Sequence, residues 1–288
     1  MRKLSDQTML ITGATNGIGK STALALAKQG ANIVIVGRNA EKTAQVLEEI
    51  KTASGNPRID YILADLSSQQ EIHQLATTFK QRHERLDVLI NNAGVMYQEK
   101  RMSVDGIEMT FAVNHLAYFQ LSLLLIDTLK ASAPARIVNV ASFAHNAGKL
   151  DFENLQGEKS YSAFGNYGLS KLANILFTRE LARRLEGTQV TVNALHPGTV
   201  KTGWTDNTQS IFFKLYKTFL EPIIAISPEK GAQTSIYLAA SPEVADITGG
   251  YFNNKKLTSP NATAQNDALA KQLWDVSLKL VNLQEPVI

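Results

Sequence analysis

The chain has 288 residues, 44% apolar and 19% charged, an ordinary globular mixture in which one large α/β domain can bury a core without staples. It contains no cysteine, which excludes disulfides, zinc–thiolate sites, thiol nucleophiles and thiolate-ligated iron–sulfur clusters. A net charge of +3 is too mild and too scattered for a nucleic-acid surface, no apolar run reaches the roughly 18 residues of a membrane span, and residues 1–7 are too short and polar for a signal peptide, so a cytoplasmic protein is expected.

Residues 8–11 are an apolar run that stops at Thr12-Gly13. Such a run before a glycine-rich turn reads as a buried parallel strand. The turn carries Gly13, Thr15, Asn16, Gly17, Ile18 and Gly19, and a helix follows with Ala23, Leu24, Leu26 and Ala27 as its apolar face. Strand, glycine loop and helix start bind phosphate: glycine lets the backbone approach the anion, and free N–H groups face it. The spacing here is G-x-x-x-G-x-G rather than G-x-G-x-x-G, and a βα turn without a ligand is the other reading.

Residues 31–36 make the second strand, followed by Gly37-Arg38-Asn39. Dinucleotide folds set an acid near this point for a ribose 2′-hydroxyl, or an arginine for a 2′-phosphate. Glycine and arginine stand here, with Lys42 one helical turn on, which favours NADP over NAD; a solvated arginine is the alternative. Gly55-Asn56-Pro57 ends the next helix, and residues 59–63 form a third strand that leads to Asp65-Leu66. Asp65 could accept from an adenine amine or be an ordinary strand-end aspartate. Ser68 and Glu71 predict a capping box on the following helix.

Residues 86–90 are strand four, terminated by Asn91-Asn92-Ala93-Gly94, where small residues allow a flat ring or ribose to approach, or simply make a turn. A helical pattern over 109–129 contains Asn114, an unfavoured residue inside a helix, read as a water-holding position or a neutral buried asparagine. Residues 136–140 are strand five, and Ser142 sits at its carboxyl end, where its hydroxyl could donate to a substrate carbonyl. The loop 143–162 holds His145 and Tyr161; neither has the partner that chemistry would need, since Gly165 and not lysine stands four residues after Tyr161.

Tyr167 and Lys171 open a helix running to about residue 185. Positions i and i+4 share a face, so phenol and ammonium can point into one pocket. A free phenol titrates near ~10, and bringing it to ~7 takes about 4 kcal/mol. One ammonium at ~4 Å and an effective dielectric of ~20 supplies about that much, making a general acid/base for an alcohol oxygen; an amphipathic surface pair is the bland alternative. Residues 189–194 are strand six. After it come His196, read as a structural turn residue, then Pro197, Gly198, Thr199, Val200 and Thr202, whose hydroxyls and backbone could hold a carboxamide and a phosphate. Residues 203–227 break the strand–helix rhythm with apolar residues at helical spacing. They read as a small packed helix, an apolar substrate lid, or a basic amphipathic segment touching a membrane surface over 211–226. Ser227-Pro228 starts another helix, Gly250-Tyr251-Phe252 a last short strand, and residues 262–280 a tail helix.

Taken together, Thr12-Gly13-x-x-x-Gly17-x-Gly19, Asp65-Leu66, Asn91-Asn92-Ala93-Gly94, Asn114, Ser142, Tyr167-x-x-x-Lys171 and Pro197-Gly198 resemble, in order, the short-chain dehydrogenase/reductase family. Asn39-x-x-Lys42, the step from Ser142 to Tyr167, Leu195-His196-Pro197-Gly198, Gly250-Tyr251-Phe252 and the tail Leu273-Trp274 are similar to its retinol dehydrogenase branch, with related protochlorophyllide-type reductases. Animal retinol dehydrogenases usually carry an amino-terminal membrane anchor, which is not seen here. The light-driven protochlorophyllide enzymes rely on cysteine, which is absent.

The resemblance implies a Rossmann-type α/β fold: a doubly wound, mostly parallel seven-stranded sheet with helices on both faces in three αβα layers. It implies one NAD(P)-binding domain over 1–288, with a lid at 203–227 and a C-terminal helix at 262–280. The implied cofactor is NADP(H), without a metal. The loop Gly13, Thr15, Asn16, Gly17, Ile18, Gly19 would hold pyrophosphate, and Arg38, with Asn39 and Lys42 beside it, the 2′-phosphate. Asp65 and Leu66 would flank adenine, Asn92, Ala93 and Gly94 the ribose, and Pro197, Gly198, Thr199, Val200 and Thr202 the nicotinamide end. Lys171 would bond the nicotinamide ribose and lower the Tyr167 pKa, Ser142 would steady the substrate oxygen, and Asn114 would keep a water linking Lys171 to solvent. The implied activity interconverts an apolar aldehyde or ketone and its alcohol. A carbonyl reductase for small or lipid aldehydes, or a non-catalytic NADP-sensing regulator, are the rivals. A homodimer or homotetramer joined through helices 109–129 and 163–185 is also implied.

Overall fold

The computed structural model describes residues 3–198 and 226–284. Six apolar runs become six parallel strands: β1 (Thr8–Thr12), β2 (Asn32–Gly37), β3 (Ile59–Leu63), β4 (Val88–Asn91), β5 (Ala135–Val140) and β6 (Val190–His196). Two short strands follow, β7 (Tyr251–Asn253) and β8 (Lys256–Thr258). They form one sheet in the order β3-β2-β1-β4-β5-β6-β7-β8, parallel except for the β7–β8 pair. Because strand order reverses between β1 and β4, the helices leaving those strands diverge and open a crevice at the carboxyl edge.

Strand side chains alternate between two cores, as a period of two requires. Met9 and Ile11 face one core with α1 (Gly17–Lys28), α2 (Ala40–Ser54) and, following β6 in the chain, Pro228–Ala240. Leu10, Val34 and Val36 face the other. There lie α3 (Gln69–Arg82), α4 (Met109–Phe111), α5 (Ala117–Leu124), α6 (Ile126–Ala131) and α7 (Ala163–Arg184). The helix Pro228–Ala240 is α8, capped by the Ser227 side chain, and the tail helix Asp267–Leu280 is α9. No helix among the described residues is long and apolar enough to cross a membrane.

Four details differ from the sequence reading. The sheet has eight strands, not seven: Asn254 and Lys255 both take positive φ, 48° and 63°, and turn the chain back on itself without glycine. The pattern over 109–129 is not one helix. Residues Ala112–Leu116 form a π-helical turn between α4 and α5 with Asn114 inside it, and α6 follows a break at Leu125. The capping box is half made: Ser68 accepts from the Glu71 amide, but the Glu71 carboxylate takes the Asp65 amide at 2.7 Å. The tail helix begins at Asp267 because the Asn266 side chain caps it by accepting from the Leu269 amide.

α9 covers the outer faces of α5 and α7. Trp274 packs 4.9 Å from the Phe119 ring and 6.2 Å from Phe177, and Ser277 meets His115 Nε2 at 3.0 Å. Arg184 lies 4.2 Å over the indole, and Arg179 pairs with Asp267 at 2.7 Å. Residues 117–123 and 166–178 are all buried within the one chain, in part under α9 and in part against the sheet. The two helices expected to join subunits thus keep no free apolar face over those residues.

Candidate active site

Each wall of the crevice follows from a local constraint. Gly13 turns the chain after β1 with φ +64°, and a Cβ there would sit 2.7 Å from the Ala93 backbone. At Gly19 a Cβ would meet the Gly13 carbonyl at 2.3 Å. Only hydrogen fits at either place, so the glycine loop lies tight against the Asn92-Ala93-Gly94 turn. Thr12 locks the two together: its hydroxyl accepts from the Asn92 amide at 2.9 Å and the Ala93 amide at 3.1 Å. The Asn92 side chain returns a bond to the Thr12 carbonyl at 2.9 Å. At the end of β2 a Cβ on Gly37 would strike Thr43 and Thr15, so the acid that many dinucleotide folds place here has no room.

The crevice is a cleft of about 1310 Å³. Single-ligand sites run to ~300–1,000 Å³, so a dinucleotide and a second molecule fit together. Of the residues singled out from sequence, Gly13, Thr15, Asn16, Gly17, Ile18, Gly19, Arg38, Asp65, Leu66, Asn92, Ala93, Gly94, Ser142, Tyr167, Lys171, Pro197 and Gly198 all line it. Arg38 is exposed at its rim and makes no ion pair among the described residues. Asp65 commits one carboxylate oxygen to the Ser67 amide and hydroxyl, at 2.9 and 2.8 Å.

Two expectations are placed elsewhere, and Asn114 takes the buried one of its two readings. Asn39 does not line the cleft: its side chain caps α2 by accepting from the Lys42 amide at 2.9 Å. Lys42 is exposed on that helix, also outside the cleft. Asn114 is fully buried behind the wall. Its amide clamps the Val95 backbone through two bonds, 2.8 and 2.9 Å, and donates to Ser170, while its carbonyl accepts from Asn174 at 2.8 Å. In this arrangement Asn114 braces the turn against α7. Thr199, Val200, Thr202 and all but the last two residues of the 203–227 segment lie outside the described residues.

Ser142, Tyr167 and Lys171 meet at the inner end of the cleft. Ser162 caps α7, so Tyr167 and Lys171 fall on successive turns of one face. The Lys171 ammonium donates to the Val140 carbonyl at 3.0 Å and lies 5.5 Å over the Tyr118 ring and 5.7 Å over the Tyr167 ring. Tyr118 is held in place by its hydroxyl bond to the Ala93 carbonyl, 2.7 Å. The electrostatics correct the sequence argument. Burial pushes the Tyr167 phenol up to about 12, offset only in part by its hydrogen bond with Ser142. Burial also pushes Lys171 down to about 7, so near neutrality it is only partly charged. Desolvation, which spacing along a helix does not reveal, is the largest cause of both shifts.

The two histidines are framework groups. His145 Nδ1 meets the Ser142 carbonyl at 2.7 Å, and its ring packs edge-on against Tyr251. His196 Nδ1 accepts from the Phe143 amide at 3.1 Å, and burial pushes its pKa down to about 4. They fix the loop that presents Ser142.

Apart from Tyr161, set aside because no lysine stands four residues after it, the inner wall beyond Tyr167 carried no sequence signal. Met96, Ala144 and Ala163 pack on the phenol, and Met109, Val113, Phe143, Tyr161 and Phe164 continue the lining. Phe143 and Phe164 remain 67% and 53% exposed at the mouth. Such residues carry no spacing signature; only the fold gathers them.

The sequence model described as short chain dehydrogenase matches residues 7–211. Human retinol dehydrogenase 13 is 43% identical over 286 residues, covering 98% of this chain and 86% of its own length. Human retinol dehydrogenase 11 is 43% identical over 281 residues, covering 98% and 87%. Among solved structures, an uncharacterized protein from Mycobacterium Paratuberculosis superposes with a TM-score of 0.80 at 28% identity, over 99% of this chain and 97% of that one. The Pseudomonas aeruginosa RhlG/NADP active-site complex superposes with a TM-score of 0.69 at 28% identity, over 87% and 96%.

Proposed function

The chain belongs to the short-chain dehydrogenase family, in its retinol dehydrogenase-like branch, and from that premise we propose that it is an NADP(H)-dependent oxidoreductase interconverting an apolar aldehyde or ketone and its alcohol. The observation that carries the proposal is the convergence of Ser142, Tyr167 and Lys171 on the cleft that the glycine loop and Arg38 also line. Support for NADP comes from Arg38 at the rim, from the crowding at Gly37 that excludes an acid, and from the NADP complex among the structural relatives. Support for an apolar substrate comes from the wall of Met96, Met109, Val113, Phe143 and Phe164 and from the retinol dehydrogenase relatives.

When bound, the nicotinamide ring supplies or takes the hydride, and its oxidised form adds a positive charge to the site. The protein does the rest. The glycine loop and the start of α1 would hold the pyrophosphate. Lys171 would hold the nicotinamide ribose. Ser142 donates to the substrate oxygen and fixes the carbonyl against the hydride donor. Tyr167 passes its proton to that oxygen as the alcohol forms. A phenol pushed up to about 12 still gives its proton to an alkoxide, which is a far stronger base than a phenolate. Raising the phenol therefore suits the reductive direction. For oxidation, the added positive charge would favour the phenolate.

We further take residues 1–288 as one dinucleotide-binding domain acting in the cytoplasm, with 203–227 as its lid, assembled as a homodimer or homotetramer. Fractionation and sedimentation test those two points. The test of function is a screen following NADPH absorbance across retinal, medium-chain aldehydes and steroids, with NADH in parallel. Turnover of at least one apolar carbonyl with NADPH preferred is expected. NADPH binding with no oxidation across the whole panel would overturn the proposal, and equal use of NADH would overturn its cofactor half.

A further inference from the structure

Asn16-Gly17 is the one Asn-Gly pair in the sequence. It stands at the start of α1, in the loop that lines the cleft. Asn16 is exposed, and its side-chain oxygen accepts from the Gly17 amide at 2.8 Å. The side-chain carbon Cγ therefore lies one bond behind an atom already in contact with that nitrogen. Joining the two takes a rotation about the Asn16 Cα–C bond, from an extended ψ of 165°. Gly17 leaves the space for it, since a Cβ there would meet nothing within 4 Å. Every other asparagine is followed by a residue with a side chain, which crowds the same approach. Asn91, Asn114, Asn139 and Asn174 are buried besides.

We propose that Asn16 is a modification site, where the chain deamidates itself and so loses its hold on the dinucleotide, and that bound dinucleotide prevents the change. The Gly17 nitrogen gives its proton to hydroxide and bonds to Asn16 Cγ. The Cγ–Nδ2 bond breaks, and that nitrogen leaves as ammonia, giving a succinimide ring. Water then opens the ring at Cγ to give aspartate, or at the main-chain carbon to give isoaspartate, which routes the backbone through the side chain. Nothing is oxidised or reduced. Either product sets a carboxylate in the loop that, on the dinucleotide reading above, holds the pyrophosphate, and like charges repel. Isoaspartate also lengthens a loop that has no slack, since Gly13 and Gly19 already pack without room for a Cβ. Aspartate caps a helix as well as asparagine does, and a negative charge suits a helix start, so the fold survives while binding is lost. A bound dinucleotide would cover the loop and hold the Gly17 amide in place.

The test stores the full chain in mildly alkaline buffer, with and without saturating NADP. Peptide mass spectrometry follows residue 16, and fluorescence titration follows NADPH affinity. Acid is expected at residue 16 before any other asparagine, with affinity falling in step. Saturating NADP should slow both by ~10-fold or more, since only the empty fraction reacts. Asn16→Asp should weaken NADPH binding by ~10-fold or more from the outset, with the Tm of fresh wild type. Asn16→Ser, whatever its starting affinity, should keep that affinity through storage. Acid appearing elsewhere first, aged protein that binds NADPH as tightly as fresh, or an unchanged rate with NADP bound would each overturn the proposal. Fresh protein that binds no NADPH would instead sink the dinucleotide reading, and the protection argued here with it.

Discussion

Replacing Lys171 by methionine isolates the cost of keeping an amine in the wall of the cleft. Burial lowers its pKa from an ordinary 10.5 to about 7, a gap of ~3.5 units, or ~5 kcal/mol at about 1.4 kcal/mol per unit. The sign follows from proton counting. Between about pH 7 and 10.5 the unfolded chain holds a proton on this amine that the folded chain does not. Stability therefore rises with pH across that window, is flat above it, and is flat again below about 7 where both states are protonated. Methionine has similar length and no proton, so the difference between wild type and Lys171→Met cancels every other titration. Urea melts of the cofactor-free proteins should show that difference moving by ~2 kcal/mol in favour of the wild type between pH 7.5 and 9. The lost bond to the Val140 carbonyl adds only a constant offset. Parallel stability curves across this range would mean that the amine stays charged when folded, and the account of the site's electrostatics would be wrong.

Tyr167→Phe should bind NADPH with near-normal affinity while kcat falls by ~10²–10⁴, the usual worth of a placed general acid; wild-type kcat on a verified substrate would remove the proton from this residue. Arg38→Ala should raise the KM for NADPH by ~10–100-fold, the loss of one charge-assisted contact, and leave NADH almost unaffected in the same assay. Thr12→Val keeps the shape but strands the amides of Asn92 and Ala93, and denaturant melts should show a loss of ~2–4 kcal/mol. Gly19→Ala should abolish NADPH binding measured by fluorescence titration, since its methyl group would overlap the Gly13 carbonyl.

How far the sequence could be read depended on whether a feature was local. β1 to β6 appeared within a few residues because period, glycine breaks and strand ends are written along the chain. β8 did not, because Asn254 and Lys255 make a left-handed turn that usually announces itself with glycine. The π-helical turn hid inside a helical pattern; asparagine at 114 hinted at a disturbance, but the clamp it forms on Val95 is a contact between distant segments. The residues lining the deep end of the cleft were legible where motifs carry them. The wall that faces a substrate was not: Met96, Gln98, Tyr161 and Phe164 share no spacing, and only the path of two loops brings them together. The direction of the Tyr167 shift was misjudged for a related reason. Helical spacing reports that lysine is near, but not that water is absent.

The tail helix also shapes how this protein must be made. α9 leaves the ribosome after α5 and α7, yet it seals Phe119 and Phe177 on helices completed long before it. During synthesis the nascent chain therefore waits with an aromatic seam open to solvent, and that wait is when self-association competes with folding. Expression yield should accordingly depend on chaperone supply.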